Sequence, residues 1–427
     1  MKKQRVALVN QGCRLNQAET ASLEHSFIKQ GHQIVDLSDS ADVVVVNTCT
    51  VTERGDGDTR RLVNKIVRIN NKTDIALIGC QSQILKEKLL QLPNVKWVIG
   101  NKEKMNVSHI ISQDIEKQYI STPKILREPF KITEPAVDRK HQRANIKIQD
   151  GCDHYCSFCV IPFARGPARS REFDNIISEV TNLVSAGHQE VVVTGINLGT
   201  YDYKGKNIVD VIDSIAQVDG LRRVRISSIE PTTIPDGLIE LFTKHNNLCP
   251  FFHIPIQSGC DKTLSDMARK YKLSEYKALL DRVISLVPDA CIGTDVIVGF
   301  PGESEDDFET TVFTLLTLPI HYFHVFSYSQ RLFARSRKLS EKVLPAKIKA
   351  RSQRLRDISL QKRNTFCKRF LDTKQDVLFE QEKNGFWVGL TEHYVKVKVK
   401  SEMNLKNQFR TVIMTTIEDD TLIGTIV

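Results

Sequence analysis

The sequence predicts an α/β protein in three parts. These are an N-terminal doubly wound parallel-sheet domain, a central partial (β/α)6 barrel and a small C-terminal β-barrel. Three observations carry the prediction. Short apolar runs alternate with helix-period segments as far as about residue 110. The same alternation returns over a longer course after residue 145. The texture then changes to short period-two strands after Leu371.

In the first part, RVALVN, VVVVNTC and DIALIGC read as strands, each followed by a helical stretch such as RRLVNKIVRI or ILKEKLLQL, with KWVIG closing the set. Residues 1–112 form this domain. Residues 113–137, with Pro123, Pro129 and Pro135 among mixed charges, read as a linker packing on its neighbours. The second part spans 138–368. The segment before Cys152, then EVVVTGIN, RRVRISSIE, FFHIPIQSG, CIGTDVIVGF and HYFHVFSY, gives six parallel strands. A helix over about Ala346 to Phe370 places Ile348, Leu355, Ile358, Phe366 and Phe370 near one face, with basic residues turned outward. The third part, 371–427, offers DVLFEQ, FWVGLT, VKVKVK, TVIMTTI and LIGTIV. Lys396, Lys398 and Lys400 share one face there, and Val395, Val397 and Val399 the other.

Composition narrows the function. The 427 residues are 41% hydrophobic and carry a formal charge of +9, which points to a polyanionic partner. From Arg331 to Arg369 fourteen Lys or Arg face only Glu341 and Asp357. The apolar run Val6–Val9 is too short for a signal-peptide core and no later run could span a bilayer, so a soluble cytoplasmic protein with no membrane partner is expected. Ten cysteines in a reducing compartment suggest metal ligands or catalytic thiols rather than disulfides.

Three of them, Cys13, Cys49 and Cys80, each follow a predicted parallel strand, and the carboxyl ends of such strands share one edge of the sheet. Gly12 and Gly79, just before two of them, suit close backbone approach to a bulky ligand. Cys152, Cys156 and Cys159, in GCDHYCSFC, follow the first barrel strand. Three thiols are one fewer than a tetrahedral site needs. Structural zinc would recruit a fourth ligand, for which His154 is the nearest candidate, although an exposed loop position suits it better. An iron–sulfur cluster on three thiolates would leave one iron open to a small molecule. Cys249, Cys260, Cys291 and Cys367 lack the strand-end placement and read as ordinary thiols. Gly299 and Gly302 in GFPGE are not a P-loop, because no Lys-Ser or Lys-Thr follows.

GCDHYCSFC, with Phe158 as its aromatic, resembles the C-x3-C-x-aromatic-x-C signature of radical S-adenosylmethionine enzymes. Three N-terminal cysteines, a radical-SAM barrel and a TRAM-like RNA-binding β-barrel together resemble the methylthiotransferase family over essentially the whole chain. VVVVNTCTVT, KIQDGCDHYCSFCVIPFARGPARSR, RVRISSIEP, HIPIQSG and DVIVGFPGESEDDF are most similar to the branch acting on N6-threonylcarbamoyladenosine beside the tRNA anticodon. Arg14, where lysine is expected, is a mild departure.

The resemblance implies two 4Fe–4S clusters. Cys13, Cys49 and Cys80 would hold an auxiliary one that carries or donates sulfur, and Cys152, Cys156 and Cys159 the radical generator. One S-adenosyl-L-methionine would supply the methyl group, and a second the radical that takes hydrogen from C2 of the adenine. Partners implied are the tRNA anticodon loop, an electron donor such as flavodoxin or ferredoxin, and a sulfur source. Cofactor contacts are expected at the barrel rim from Phe158, Thr194, Gly195, Glu230, Gln257 and Asp295. Arg165, Arg169 and Arg171 are candidates for substrate phosphate or carboxylate contacts, while the 331–369 segment and the lysine face would grip the tRNA backbone. The rival substrates are isopentenyladenosine in tRNA and an aspartate of a ribosomal protein, against which the basic C-terminal module speaks. A rival of another class is a non-catalytic RNA-binding zinc protein.

Overall fold

The computed structural model describes residues 3–113, 117–133 and 142–427. Of the expected linker, 114–116 and 134–137, including Pro135, lie outside the described residues, as does the expected start of the second part at 138.

The N-terminal sheet contains β1 (Arg5–Asn10), β2 (Gln33–Ile34), β3 (Val43–Thr48), β4 (Asp74–Gly79), β5 (Val95–Ile99) and β6 (Tyr119–Ser121). Its order is β2-β1-β3-β4-β5-β6 and every pairing is parallel. In β3 every residue is buried, which is why VVVVNT is apolar without alternation. Both faces are covered. Helix α1 (Arg14–Lys29) lays Leu23 and Phe27 against Val6, Val43 and Val45. On the other face α2 (Glu53–Ile69) contributes Val63 and Ile66 against Val44, Val46 and Leu77. The sheet is therefore doubly wound, as expected. The sixth strand is a correction: Tyr119–Ser121 lies in the stretch read as patternless and adds to the sheet edge beside β5. Three half-buried residues are too few to show a period.

The six barrel strands are β7 (Arg143–Lys147), Glu190–Thr194, Arg223–Ile226, Phe251–His253, Cys291–Val298 and Tyr322–Ser327. Hydrogen bonding groups them as two parallel three-stranded sheets. The parallel bridge Val224 to Leu248, and the bond from Ile229 N–H to the His253 carbonyl, carry one sheet into the next. The result is the expected open (β/α)6 barrel. One apolar cluster runs between its strands and helices, from Ala144 through Val191, Val193, Ile212 and Ile254 to Phe323 and Leu355.

The helix Pro345–Lys368 packs on the last barrel strand, where Ser359 accepts the Phe323 N–H and donates to its carbonyl. Leu355 and Phe366 are buried as expected. The outward basic face is only partly so. Arg351 is buried against Glu303, and Arg363 donates to Cys291 Sγ and the Tyr394 carbonyl. Arg331 is 6% exposed and pairs with Asp56 of α2. Three of the fourteen cations are thus spent inside the protein.

The C-terminal strands Lys374–Lys383, Phe386–Leu390, Lys396–Val399, Phe409–Glu418 and Thr421–Ile426 close a five-stranded barrel. Val395, Val397 and Val399 fill it while Lys396, Lys398 and Lys400 point outward. Its Thr391–Val395 turn sits against the first residues of the central barrel's strands. There Arg225 donates to the Glu392 and Thr391 carbonyls, and Tyr394 packs on Phe251 at 4.8 Å. Among the described residues no helix is long and apolar enough to cross a membrane.

His321 packs tilted against Phe366, ring centroids 4.3 Å apart, and accepts the Ile292 N–H through Nδ1. Burial, then nearby Arg369 and Lys362, push its pKa down to about 4. The unfolded chain, with an ordinary imidazole near 6.5, takes up a proton between those values and the folded chain does not, so stability falls as pH drops through this window. Denaturant unfolding at pH 7 and pH 5 should show a loss of about 2 kcal/mol that His321→Gln lacks.

Candidate functional site

The two cysteine triads lie at the carboxyl ends of their respective sheets. Cys13 caps the start of α1 after β1, Cys49 follows β3, and Cys80 opens the short helix α3 (Cys80–Leu85) after β4. Cys13 is exposed, Cys49 half-buried and Cys80 buried. The Cys49 thiol is pushed up to about 11 by burial, with Cys80 and Cys13 close enough to add to the effect. Gly79 has φ +97°, and a Cβ there would meet Asn47 Oδ1 at 2.6 Å. At Gly12 a Cβ would meet Asn16 Nδ2 at 2.2 Å. Both glycines thus admit a close approach of protein side chains.

Cys152, Cys156 and Cys159 are all half-buried in the loop after β7. The loop is pinned from inside and outside. Cys159 N–H bonds the Cys156 carbonyl, Ser157 N–H bonds the Met267 carbonyl, and the Ser336 N–H reaches the Ser157 carbonyl. Tyr155, at φ +49°, takes the left-handed conformation that this tight winding demands. Burial pushes Cys152 up to about 11 and, with Cys156 adjacent, Cys159 up to about 12. His154 is half-buried rather than exposed, with Nε2 at 3.4 Å from Asn197 Nδ2.

A cavity of about 190 Å³ opens between the two halves. Val51 and Thr52, just past Cys49, form one wall. Phe158 from the cysteine loop, with Gln257, Asp295 and Tyr328 from the barrel rim, forms the other. Gln257 holds φ +65° while bridging to the strand of Asp295, whose carbonyl accepts its N–H at 2.9 Å. Strain of this kind is retained where a side chain must be aimed. Asp295 is oriented in turn by His253 Nε2 at 3.0 Å, and His253 Nδ1 lies 3.2 Å from the Tyr322 hydroxyl.

The other expected rim residues sit elsewhere. Thr194 is buried, with its carbonyl accepting the Ile148 N–H, and Gly195 lies against Leu198 and Gln149. Glu230 pairs with Arg269, which itself donates to Cys156 Sγ at 3.3 Å. Of the three arginines after the cysteine loop, two are corrected as well. Arg171 is buried on Glu179, and Arg165 is 1% exposed among Glu19, Asp150 and Asn16. Arg169 pairs with Asp150 and lies over the Phe130 ring.

Sequence reasoning missed the polar residues between the triads. Glu19 on α1 takes Lys104, Lys147 and Arg165, all buried, and these outweigh the burial that would otherwise raise its carboxyl, holding it well below the usual range. Asp150 is held down likewise by Lys147, Arg165 and Arg169 against its own burial. Nothing in a single polar residue on a helix announces such a network before the helix is docked.

Each triad offers three cysteine sulfurs at strand ends, the donor set of a cubane cluster with one iron free for an external ligand. A model of the Radical SAM superfamily matches residues 146–315, and one described as an uncharacterized protein family, UPF0004, matches residues 5–100. The chain is 35% identical over 399 residues to the threonylcarbamoyladenosine tRNA methylthiotransferase MtaB of Aquifex aeolicus (strain VF5), covering 92% of this chain and 96% of that protein. It is 33% identical to the MtaB of Bacillus subtilis (strain 168), covering 92% and 90%. In fold it is similar to the radical S-adenosylmethionine methyltransferase TsrM from Kitasatospora setae, solved with cobalamin and a 4Fe–4S cluster. That match has TM-score 0.56 at 16% identity and covers 76% of this chain and 75% of that one.

Fold and site together define a radical S-adenosylmethionine enzyme. More narrowly, the chain belongs to the radical S-adenosylmethionine methylthiotransferase family, and its cofactors are S-adenosylmethionine and two 4Fe–4S clusters.

Glu19→Gln leaves three buried cations short of a carboxylate. It should destabilise the metal-free protein by about 3–5 kcal/mol in urea unfolding at pH 7. A loss below about 1 kcal/mol would show that water reaches the network and screens it.

Proposed function

We propose that the protein converts N6-threonylcarbamoyladenosine beside the tRNA anticodon to its 2-methylthio derivative. The observation that carries this is the cavity walled on one side by Val51 and Thr52, just past Cys49, and on the other by Phe158, beside Cys159, so that the loops of both triads border one space. The relatives named above supply the choice of nucleoside.

In this reading Cys13, Cys49 and Cys80 hold the auxiliary cluster, and Cys152, Cys156 and Cys159 the radical-generating one. Bound there, S-adenosylmethionine supplies both a methyl group and, after one-electron reduction, a radical able to remove an unactivated aromatic hydrogen. The protein's part is placement. Phe158 would pack beside the cofactor, Gln257 and Asp295 would offer it polar contacts from the cavity wall, and Glu230, Thr194 and Gly195 belong to neighbouring strand ends. His253 keeps the Asp295 carboxylate aimed. Val51 and Thr52 line the space from the auxiliary side.

Residues 1–112, 138–368 and 371–427 act as auxiliary-cluster domain, radical core and RNA-binding module. The enzyme works in the cytoplasm with a flavodoxin or ferredoxin as electron donor and a separate sulfur source.

Deleting the gene and analysing tRNA nucleosides by mass spectrometry should show loss of 2-methylthio-N6-threonylcarbamoyladenosine with accumulation of its unthiolated precursor; an unchanged profile refutes the reading. Complementation with Cys49→Ala or Cys156→Ala should leave the precursor unconverted. The outward lysines are tested separately by tRNA binding. Replacing Lys396, Lys398 and Lys400 by Gln should flatten the slope of log affinity against log salt by about 0.7–0.9 for each phosphate no longer neutralised.

A further inference from the structure

Two arginines from distant parts of the chain end on sulfur. Arg165 Nε donates to Cys80 Sγ at 3.2 Å, and Arg269 Nη1 donates to Cys156 Sγ at 3.3 Å. Both side chains are withdrawn from water, at 1% and 3% exposure. Each is held by carboxylates as well, Arg165 through Nη1 and Nη2 and Arg269 through Nη2. For Arg165 these are Glu19 and Asp150, with Asn16 taking a further N–H at 2.6 Å. For Arg269 the partner is Glu230, with the Tyr271 hydroxyl beside it. The guanidinium is planar and its donors diverge at fixed angles, so anchoring the other nitrogens aims one N–H at the sulfur.

Arg165 also crosses between the two halves. It ends the helix Ile161–Arg165, which begins two residues after Cys159, yet the sulfur it reaches belongs to the N-terminal sheet. Asn101 reinforces the same crossing, with Nδ2 at 3.5 Å from Cys80 Sγ and 2.7 Å from the Ala164 carbonyl. The loop of one triad is thereby tied to a ligand of the other.

We propose that Arg165 and Arg269 are positioning residues, each holding one ligand sulfur of its triad and raising the reduction potential of the cluster bound there, with Arg165 also fixing the spacing of the two centres. This rests on the assignment of Cys80 and Cys156 as cluster ligands. An N–H donor draws electron density from a thiolate and so stabilises the reduced cluster, which carries one more negative charge. Lysine keeps the charge but cannot keep the fork that serves carboxylate and sulfur together.

The test is a redox titration of the reconstituted full-length protein, followed by electron paramagnetic resonance. The radical centre is recognised by the change in its signal when S-adenosylmethionine is added. Arg165→Lys should retain iron while the auxiliary centre's midpoint falls and the radical centre's stays. A tenfold lower reduced-to-oxidised ratio at fixed poise would be a shift of about 59 mV. Arg269→Lys should do the converse. Unmoved midpoints in iron-replete variants, or both midpoints moving together in each variant, would overturn the proposal. If Arg165→Lys loads no cluster, the wild-type protein exchanged into heavy water decides. Electron–nuclear double resonance should find an exchangeable deuteron coupled to the auxiliary cluster, and its absence would refute the hydrogen bond. The ligand assignment fails differently: wild-type protein would then load about four rather than about eight irons per chain.

Discussion

The buried carboxylate of Glu19 is the interaction on which the arrangement of the two halves depends. It stands on the helix that begins just after Cys13, and its three cationic partners come from three places. Lys104 belongs to its own domain, Lys147 to the first barrel strand, and Arg165 to the segment after the Cys152–Cys159 loop. A charge this deeply buried is tolerated only while all its partners are present. The domain-to-barrel orientation is therefore specified electrostatically and not merely by apolar contact, which would tolerate sliding. The apolar patch at this junction is small, comprising Cys80, Ile84, Val160 and Ala164 with Leu85 and Leu332 against them.

What the sequence made legible follows from periodicity. Apolar runs such as VVVVNT and EVVVT are buried on both faces, so the parallel strands and their order of appearance could be read directly. Once the strands are parallel, their carboxyl ends fall on one edge, and Cys13, Cys49 and Cys80 are placed without further information. The alternation of Val and Lys in 395–400 likewise determined which face of the small barrel is wet. Phe158 was placed by motif and Gln257 and Asp295 by their strand ends, and the three share one cavity.

What could not be read is the fate of individual charges. A cation in a basic run looks the same whether it faces solvent or a carboxylate distant in sequence. Arg331 meets Asp56 across 275 positions, and Arg165 meets Glu19 across 146. Such pairings exist only after the domains dock, so neither helical period nor local spacing carries a trace of them. The strand Tyr119–Ser121 escaped for a related reason, since its pairing to Trp97 through Ile99 supplies what its own three residues do not encode.

The same logic explains why the site is built at a junction. On the proposed reading, a radical centre and a sulfur-delivering centre must face one carbon atom from different directions, and a single barrel rim would crowd both into adjacent loops. Placing one triad on each of two sheets separates the loops in sequence, and the shared cavity brings them together in space. The cost is that two rigid bodies must hold register to well under an ångström for reacting groups to meet. A network of fixed-angle guanidinium bonds meets that demand better than greasy contact does, because its geometry has one solution. Arg165, bound at once to Glu19, Asp150, Asn16 and Cys80, is where that solution is imposed.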